Sequence, residues 1–289
     1  MSIRLWTLIL APLALAGAAI LLFSLGPEPD DTLARVRTEG VIRIGYAVEP
    51  PYAFVTPGGE VTGESPEVAK ILVARLGIER IVWSQMAFSE LIPALQTGRI
   101  DVIAAGLFVN AERARQVRFS RPTFRVRPAL LVAKGNPYAL RACEDLLGQP
   151  ELRVAVIAGS VEQALLHRVG LADERLVPVP DALTGSRAVE SGLADVLALS
   201  SPTLRWRLEQ APLADVELVQ VPDEPTTLAG ADYGIGAFAF RLIDQRLAQA
   251  WDEAARDYIG GAEHRALLKR FGFGPTEVPQ PVAHGVTHD

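Results

Sequence analysis

The sequence predicts an α/β protein of two lobes, each a mainly parallel sheet flanked by helices. Strand-length apolar runs and helix-length apolar stripes alternate from residue 41, and the same alternation restarts after Gly135-Asn-Pro137. Such alternation makes neighbouring strands parallel, because each helix returns the chain to the edge where the strand began.

In the first stretch, Val41–Tyr46 reads as a strand. Ser65-Pro66 then opens a helix with Pro at its first position and Gly77 just past its end. Val68, Ile71, Leu72 and Leu76 form one apolar stripe along it. Ile81–Trp83 is a short strand, and Ser89–Thr97 a helix stopped by Gly98. Ile100–Ala105 is an unbroken apolar strand of the kind buried on both faces. Directly after it, Gly106-Leu-Phe-Val-Asn-Ala-Glu-Arg113 places an Arg at the start of a helix.

The second stretch repeats the grammar. Arg153–Ala158 is a strand, Gly159-Ser160 a turn, and Val161–Val169 a helix with Val161, Ala164, Leu165 and Val169 on one side. Leu176–Val179 is a strand, Leu183–Ser191 a helix and Asp195–Leu199 a strand. Gly234–Phe240 reads as a strand leading into a long helix whose buried seam is Leu242, Leu247, Trp251, Ala254 and Tyr258. Ala262–Phe271 is a final short helix, and these last helices return to pack on the first lobe. From Gly274 no periodicity remains, and residues 276–289 read as a disordered tail.

Hydrophobic content of 49% with 21% charged residues describes a globular chain. A net charge of -6 gives no reason to expect nucleic acid or an anionic membrane as partner. The lone Cys143 excludes an intramolecular disulfide and any cysteine metal cluster, so it reads as a small buried hydrophobe. No cofactor, metal or catalytic residue is expected. His167, His264, His284 and His288 match no zinc spacing, and no nucleophile elbow is present. Leu5 to Leu25 is uncharged and apolar, with Arg4 before it and Glu28, Asp30 and Asp31 after it. That asymmetry sends the remainder out of the cytoplasm. A helix of that length spans roughly 31 Å, about the hydrocarbon thickness. Residues 1–26 are therefore expected as a signal peptide or an N-terminal membrane anchor.

Arg113 carries the chemistry. A guanidinium takes a small-molecule carboxylate through two parallel hydrogen bonds, which Lys cannot match. The ordinary alternative is a solvated helix residue. At Gly159, Ser160 and Val161 a helix begins, where free backbone N–H groups favour an anion; the alternative for Ser160 is a plain N-cap.

Ile44-Gly-Tyr-Ala-Val-Glu-Pro-Pro-Tyr52, Val61-Thr-Gly-Glu-Ser-Pro-Glu-Val68, Leu91 to Ile103, Glu112-Arg113, Val117-Arg-Phe-Ser120 and Ser191-Gly-Leu-Ala-Asp-Val196 occur in an order with a known counterpart. The chain from about 40 to 275 resembles the extracytoplasmic solute-binding proteins of ABC transporters that take polar amino acids (family 3). Ala104 to Arg113 and Tyr233 to Phe240 are most similar to the ectoine and hydroxyectoine binders. The resemblance implies a type II periplasmic-binding-protein clamshell, lobe 1 being 32–124 plus 234–275 and lobe 2 being 125–233. Crossovers are implied near Thr123–Val126 and Asp232–Ile235. It also implies a monomer that captures a small zwitterionic ligand in the periplasm for ABC permease subunits, with residues 5–25 as a membrane tether if uncleaved.

In that family the Arg matching Arg113 holds the ligand carboxylate. Amino-acid binders usually carry an Asp where this chain has Ser200, to pair with the α-ammonium. Its replacement implies a ring amidinium instead, met by the faces of Tyr52, Phe88 and Phe108 and by the Glu49 carboxylate, with a hydrogen bond from Glu162. Each has an ordinary alternative: the Phe rings as core, Tyr52 with a wet hydroxyl, Glu49 as a solvated loop acid. Asp195 reads as structural, and Arg121, Arg125 and Arg127 have no physical account. The competing functions are a polar amino-acid binder, a ligand sensor, and a cyclohexadienyl-dehydratase-like enzyme in which Glu49 or Glu162 acts as a general acid.

Overall fold

The computed structural model describes residues 30–210, 212–221 and 233–279. The apolar segment 1–26 and residues 280–289 of the tail lie outside the described residues. No helix among the described residues is long and apolar enough to cross a membrane.

The described residues open with α1 (Thr32–Glu39), β1 (Val41–Tyr46), the short pair β2 (Phe54–Val55) and β3 (Val61–Thr62), and α2 (Glu64–Arg75). Then come β4 (Arg80–Gln85), α3 (Leu91–Gln96), β5 (Val102–Ile103), the single-turn α4 (Ala111–Ala114), β6 (Arg118–Phe119) and β7 (Phe124–Arg125). β8 (Pro128–Ala133), β9 (Val154–Ile157), α5 (Val161–Val169), β10 (Leu176–Val179), α6 (Ala182–Glu190), β11 (Val196–Ser200), α7 (Ser201–Gln210) and β12 (Val216–Gln220) follow. β13 (Ile235–Gly236), β14 (Ala239–Phe240), α8 (Gln245–Ala255) and α9 (Ala262–Arg270) complete it.

Two five-stranded sheets result, ordered β4-β1-β5-β14-β6 and β10-β9-β11-β8-β12. In each, the predicted parallel core is three strands: β4, β1 and β5 in the first, β10, β9 and β11 in the second. The other two strands of each sheet pair antiparallel. β7 and β13 pair antiparallel as the two crossing strands, at Ile235↔Arg125 and Gly236↔Phe124. Asp232, placed in the second crossover from the sequence, lies outside the described residues.

The second sheet is buried on both faces with a period of two. Leu130, Val132, Val154, Val156, Val196 and Ala198 point into one core. Ala129, Leu131, Ala155, Ile157, Leu197 and Leu199 point into the other. The first of these cores runs on into Tyr52, Phe108, Phe124, Phe271 and Phe273, so apolar packing is continuous between the two sheets. Cys143 lies within it, buried, and burial pushes its thiol up to about 12.

Several elements differ from the sequence reading. Pro66 is the third residue of α2, not the first, because Glu64 N–H and Ser65 N–H bond back to Pro51 O and Tyr52 O and start the helix earlier. The strand expected over Ile100–Ala105 is buried throughout, yet only Val102–Ile103 pair, since Gly106 (φ 64°) turns the chain away. The strand expected over Gly234–Phe240 splits into β13 and β14; Ala237 and Phe238 between them bond to Leu107 O and Ser120 Oγ instead. Leu242 precedes α8 and is 45% exposed, so the seam is Leu247, Ala248, Trp251 and Ala255. Part of the expected disordered tail is structured: Pro275–Glu277 form a 3-10 turn, and buried Glu277 accepts two bonds from Arg205 Nη2, at 3.0 and 2.7 Å. β8, β12, α1 and α7 had no sequence assignment.

Asp195 is structural: its carboxylate accepts Arg153 N–H at 2.8 Å. Arg121 turns to α8, its N–H on Asp252 Oδ1 at 2.8 Å. Arg125 and Arg127 are exposed and alternate with buried Phe124, Val126 and Pro128 along the first crossing.

Gly234 sits at the second crossing with φ 75°, and a Cβ there would lie 2.0 Å from Val126 O. Both the left-handed backbone and the backbone contact exclude a side chain. Gly234→Ala is expected to cost at least about 2 kcal/mol in urea unfolding.

Candidate functional site

The site lies between the lobes, and each element delivers its residue for a local reason. α4 is one turn, held by Asn110 Oδ1 accepting Arg113 N–H at 2.8 Å. That cap aims the Arg113 side chain back under the loop it came from. Its Nη1 donates to Phe108 O at 2.8 Å, and its Nη2 donates across the lobes to Gly159 O at 2.8 Å. The guanidinium also sits over the Phe88 ring, 5.4 Å from its centroid. Arg113 is only 7% exposed and, among the described residues, has no carboxylate oxygen within ion-pair distance. Burial pulls its pKa down, while Glu162, Glu112 and Glu49 act to raise it.

Gly106 is required here. A Cβ on it would lie 2.5 Å from Tyr52 Cγ. The Tyr52 ring packs on Phe124 (centroids 4.8 Å) and edge-on to Phe108 (6.0 Å) and Phe273 (5.6 Å). Its hydroxyl is buried, not wet, and donates to Ser200 Oγ at 2.8 Å. Ser200 Oγ lies 2.9 Å from Thr203 Oγ1, one helical turn on, and Thr203 Oγ1 donates to Glu49 Oε1 at 3.3 Å. A hydroxyl relay thus runs from Tyr52 in one lobe, through Ser200 and Thr203 in the other, back to Glu49.

Glu49 is no solvated loop acid. Burial, then the charge of Glu162, pushes its carboxyl up to about 8, against the Thr203 bond and Arg113. Glu162, in the first turn of α5, is buried and accepts the Tyr233 hydroxyl at 2.6 Å. Burial raises its pKa as well, opposed first by that Tyr233 bond.

One expectation fails at the start of α5. The N–H groups of Gly159 and Ser160 are already used, by Gln163 Oε1 at 2.8 Å and by Ile157 O at 3.0 Å. Ser160 is an N-cap, its Oγ accepting Gln163 N–H at 3.2 Å. Gly159 instead supplies a carbonyl to Arg113, and the Val161 side chain lies in the lobe 2 core. The rings are likewise engaged within the protein: Phe88 by Arg113, Phe108 edge-on to Tyr52, Phe124 and Tyr233.

Thr203 and Tyr233 were missed. Thr203 had a signal, sitting three residues after Ser200 where a strand runs into a helix. Tyr233 opens the stretch 233–240 that carries the resemblance, but nothing local points to its partner Glu162, 71 residues away.

Residues 42–274 match the family described as bacterial extracellular solute-binding proteins, family 3. The chain belongs to that family. It is 31% identical over 250 residues, 86% of this chain and 82% of the relative, to a probable amino-acid ABC transporter periplasmic-binding protein, y4tE, of Sinorhizobium fredii. To the cyclohexadienyl dehydratase of Pseudomonas aeruginosa it is 25% identical over 278 residues, 94% of this chain and 96% of the enzyme. Among solved structures it is similar to EhuB in complex with hydroxyectoine, with a TM-score of 0.78 and 30% identity over 86% of this chain and 94% of that one. The neighbours share the two-lobed fold of type II periplasmic binding proteins.

The raised carboxyls give a signed pH dependence. Unfolded Glu titrates near about 4.3, folded Glu49 near about 8. The folded state therefore holds the extra proton, and the stability it confers is full below about 4.3 and lost as pH rises through about 8. Thermal unfolding of the ligand-free protein is expected to show a melting temperature that falls between pH 5 and 8. Glu49→Gln is expected to flatten that fall without abolishing it, because Glu64 (about 7) and Glu162 are raised in the same direction.

Proposed function

We propose that this chain is the extracytoplasmic solute-binding component of an ABC importer. It captures a small zwitterion, of the ectoine or hydroxyectoine kind, as the lobes close. The carrying observation is a set of three unmet charged groups: a buried guanidinium with no carboxylate in contact among the described residues, beside two acids, one buried and one half-buried, with no cation in contact among those residues. Each is costly alone, and a ligand with a carboxylate at one end and a cation at the other satisfies all of them.

In this reading Arg113 holds the ligand carboxylate with donors beyond the two already used. Glu49 meets the cationic end, with Glu162 reaching from the second lobe. Ser200, Tyr52, Phe88 and Phe108 shape the walls, and Gly159, Ser160 and Val161 bring the second lobe against Arg113. Lobe 1 (32–124 plus 234–275) and lobe 2 (125–233) close about β7 and β13, and closure is favoured because only the closed form touches the ligand from both sides. The 30% identity to a hydroxyectoine complex supports the ectoine reading. Ser200, a neutral hydroxyl bonded to Tyr52, supports a delocalised cation over a primary ammonium. The similarity to y4tE supports a polar amino acid as the alternative ligand. The relation to a dehydratase, with two raised carboxyls in the site, supports the less favoured enzymatic one.

Calorimetry with ectoine, hydroxyectoine and a panel of amino acids separates these. Arg113→Lys is expected to weaken the true ligand about 10- to 100-fold, by losing the two-point geometry. An unchanged affinity would sink the assignment of Arg113. Turnover of prephenate or arogenate by the purified protein would replace transport with catalysis.

A further inference from the structure

The charges of the site do not balance. One buried guanidinium, Arg113, lies near two acids that come from opposite lobes, the half-buried Glu49 from the loop after β1 and the buried Glu162 from α5. Each acid has a hydroxyl donor of its own, Thr203 for Glu49 and Tyr233 for Glu162, and neither touches a cation among the described residues.

A desolvated site is most stable when its charges sum to zero. With a ligand of net charge zero, that sum requires one acid ionised and the other protonated. With a ligand of net charge +1, it requires both ionised. We infer that Glu49 and Glu162 form a two-acid clamp that holds one shared proton around a net-neutral ligand and gives it up for a net-cationic one. The same site thereby chooses between zwitterions and basic amino-acid-like ligands according to pH. This rests on the zwitterion reading above and deepens it.

The surrounding groups suit a shared proton. Besides the two acids, Arg113 from α4, Tyr52 from the loop after β1, Tyr233 ahead of β13 and Cys143 ahead of β9 act on or feel the pair. Glu112 acts on Arg113, and Glu277 on Tyr52. Of these, Arg113 alone carries positive charge, so no second cation in the group can neutralise the second acid. The charge of Glu162 adds to burial in raising Glu49, and burial raises Glu162.

The test is calorimetry on the full-length protein at pH 6, 7 and 8 with ectoine, L-citrulline and L-arginine. The last two are near-isosteres of net charge zero and +1. The two complexes differ by one bound proton, so the arginine-to-neutral affinity ratio is expected to rise about tenfold per pH unit. Glu162→Gln mimics the protonated acid. It is expected to weaken arginine at least about tenfold more than the best neutral ligand at pH 7, and to remove the pH slope of the ratio. Tyr233→Phe deletes the donor that favours ionised Glu162 and is expected to weaken arginine alone, by a smaller factor. A ratio flat with pH, or arginine failing to bind at all three pH values while a neutral ligand binds, overturns the two-acid clamp and leaves the zwitterion site standing. Glu162→Gln weakening both classes equally does the same. Absence of binding by all three probes overturns the zwitterion reading, and the clamp with it.

Discussion

The arrangement depends on how a buried guanidinium is kept in acceptors. Arg113 has five N–H donors in a rigid fork, and the protein supplies acceptors for two, one carbonyl from each lobe. Those two bonds fix the plane of the fork and tie α4 to the turn before α5. Everything near the site serves that placement. Gly106 lets the chain leave β5 against the Tyr52 ring, Asn110 caps the single turn that carries Arg113, and Phe88 lies under the guanidinium. One of its acceptors, Gly159 O, comes from the second lobe, so the orientation of the guanidinium is tied to how the two lobes meet.

Closure is also written into neutral groups. The relay Tyr52–Ser200–Thr203–Glu49 crosses between the lobes twice without a formal charge until it reaches the acid. A carboxylate at position 200 would put a charge beside the Tyr52 hydroxyl; Ser200 leaves the polarity of the wall to geometry. Behind the relay, Tyr52, Phe108, Phe124 and Phe273 make a ring cluster that continues into the lobe 2 core, so the crossing strands lie against packed aromatics.

Legibility in the sequence tracked how local each signal is. Val41–Tyr46, Val161–Val169 and Leu176–Val179 were readable to the residue, the helix because Ser160 caps one end and Gly170 follows the other. β8 escaped because it is buried on both faces and starts at a Pro, so it shows no alternation and no clear opening. The splitting of 234–240 was invisible since its cause is pairing with β7, over a hundred residues earlier in the chain. Several of the candidate residues are nonetheless brought into contact with one another, because strand ends and helix starts of an α/β fold converge, while the Val161 side chain goes to the core. What stayed hidden was which atoms were already taken: that Gly159 would offer its carbonyl and keep its N–H, and that Phe88 would face a protein cation.

The clasp between Arg205 and Glu277 changes where this domain should be considered to end. The family match stops at residue 274, yet the buried acid that anchors Arg205 of α7 lies three positions further on. A chain trimmed to the matching stretch would strip a lobe 2 helix of its counter-ion, so the packed structure extends past the stretch that the family description covers.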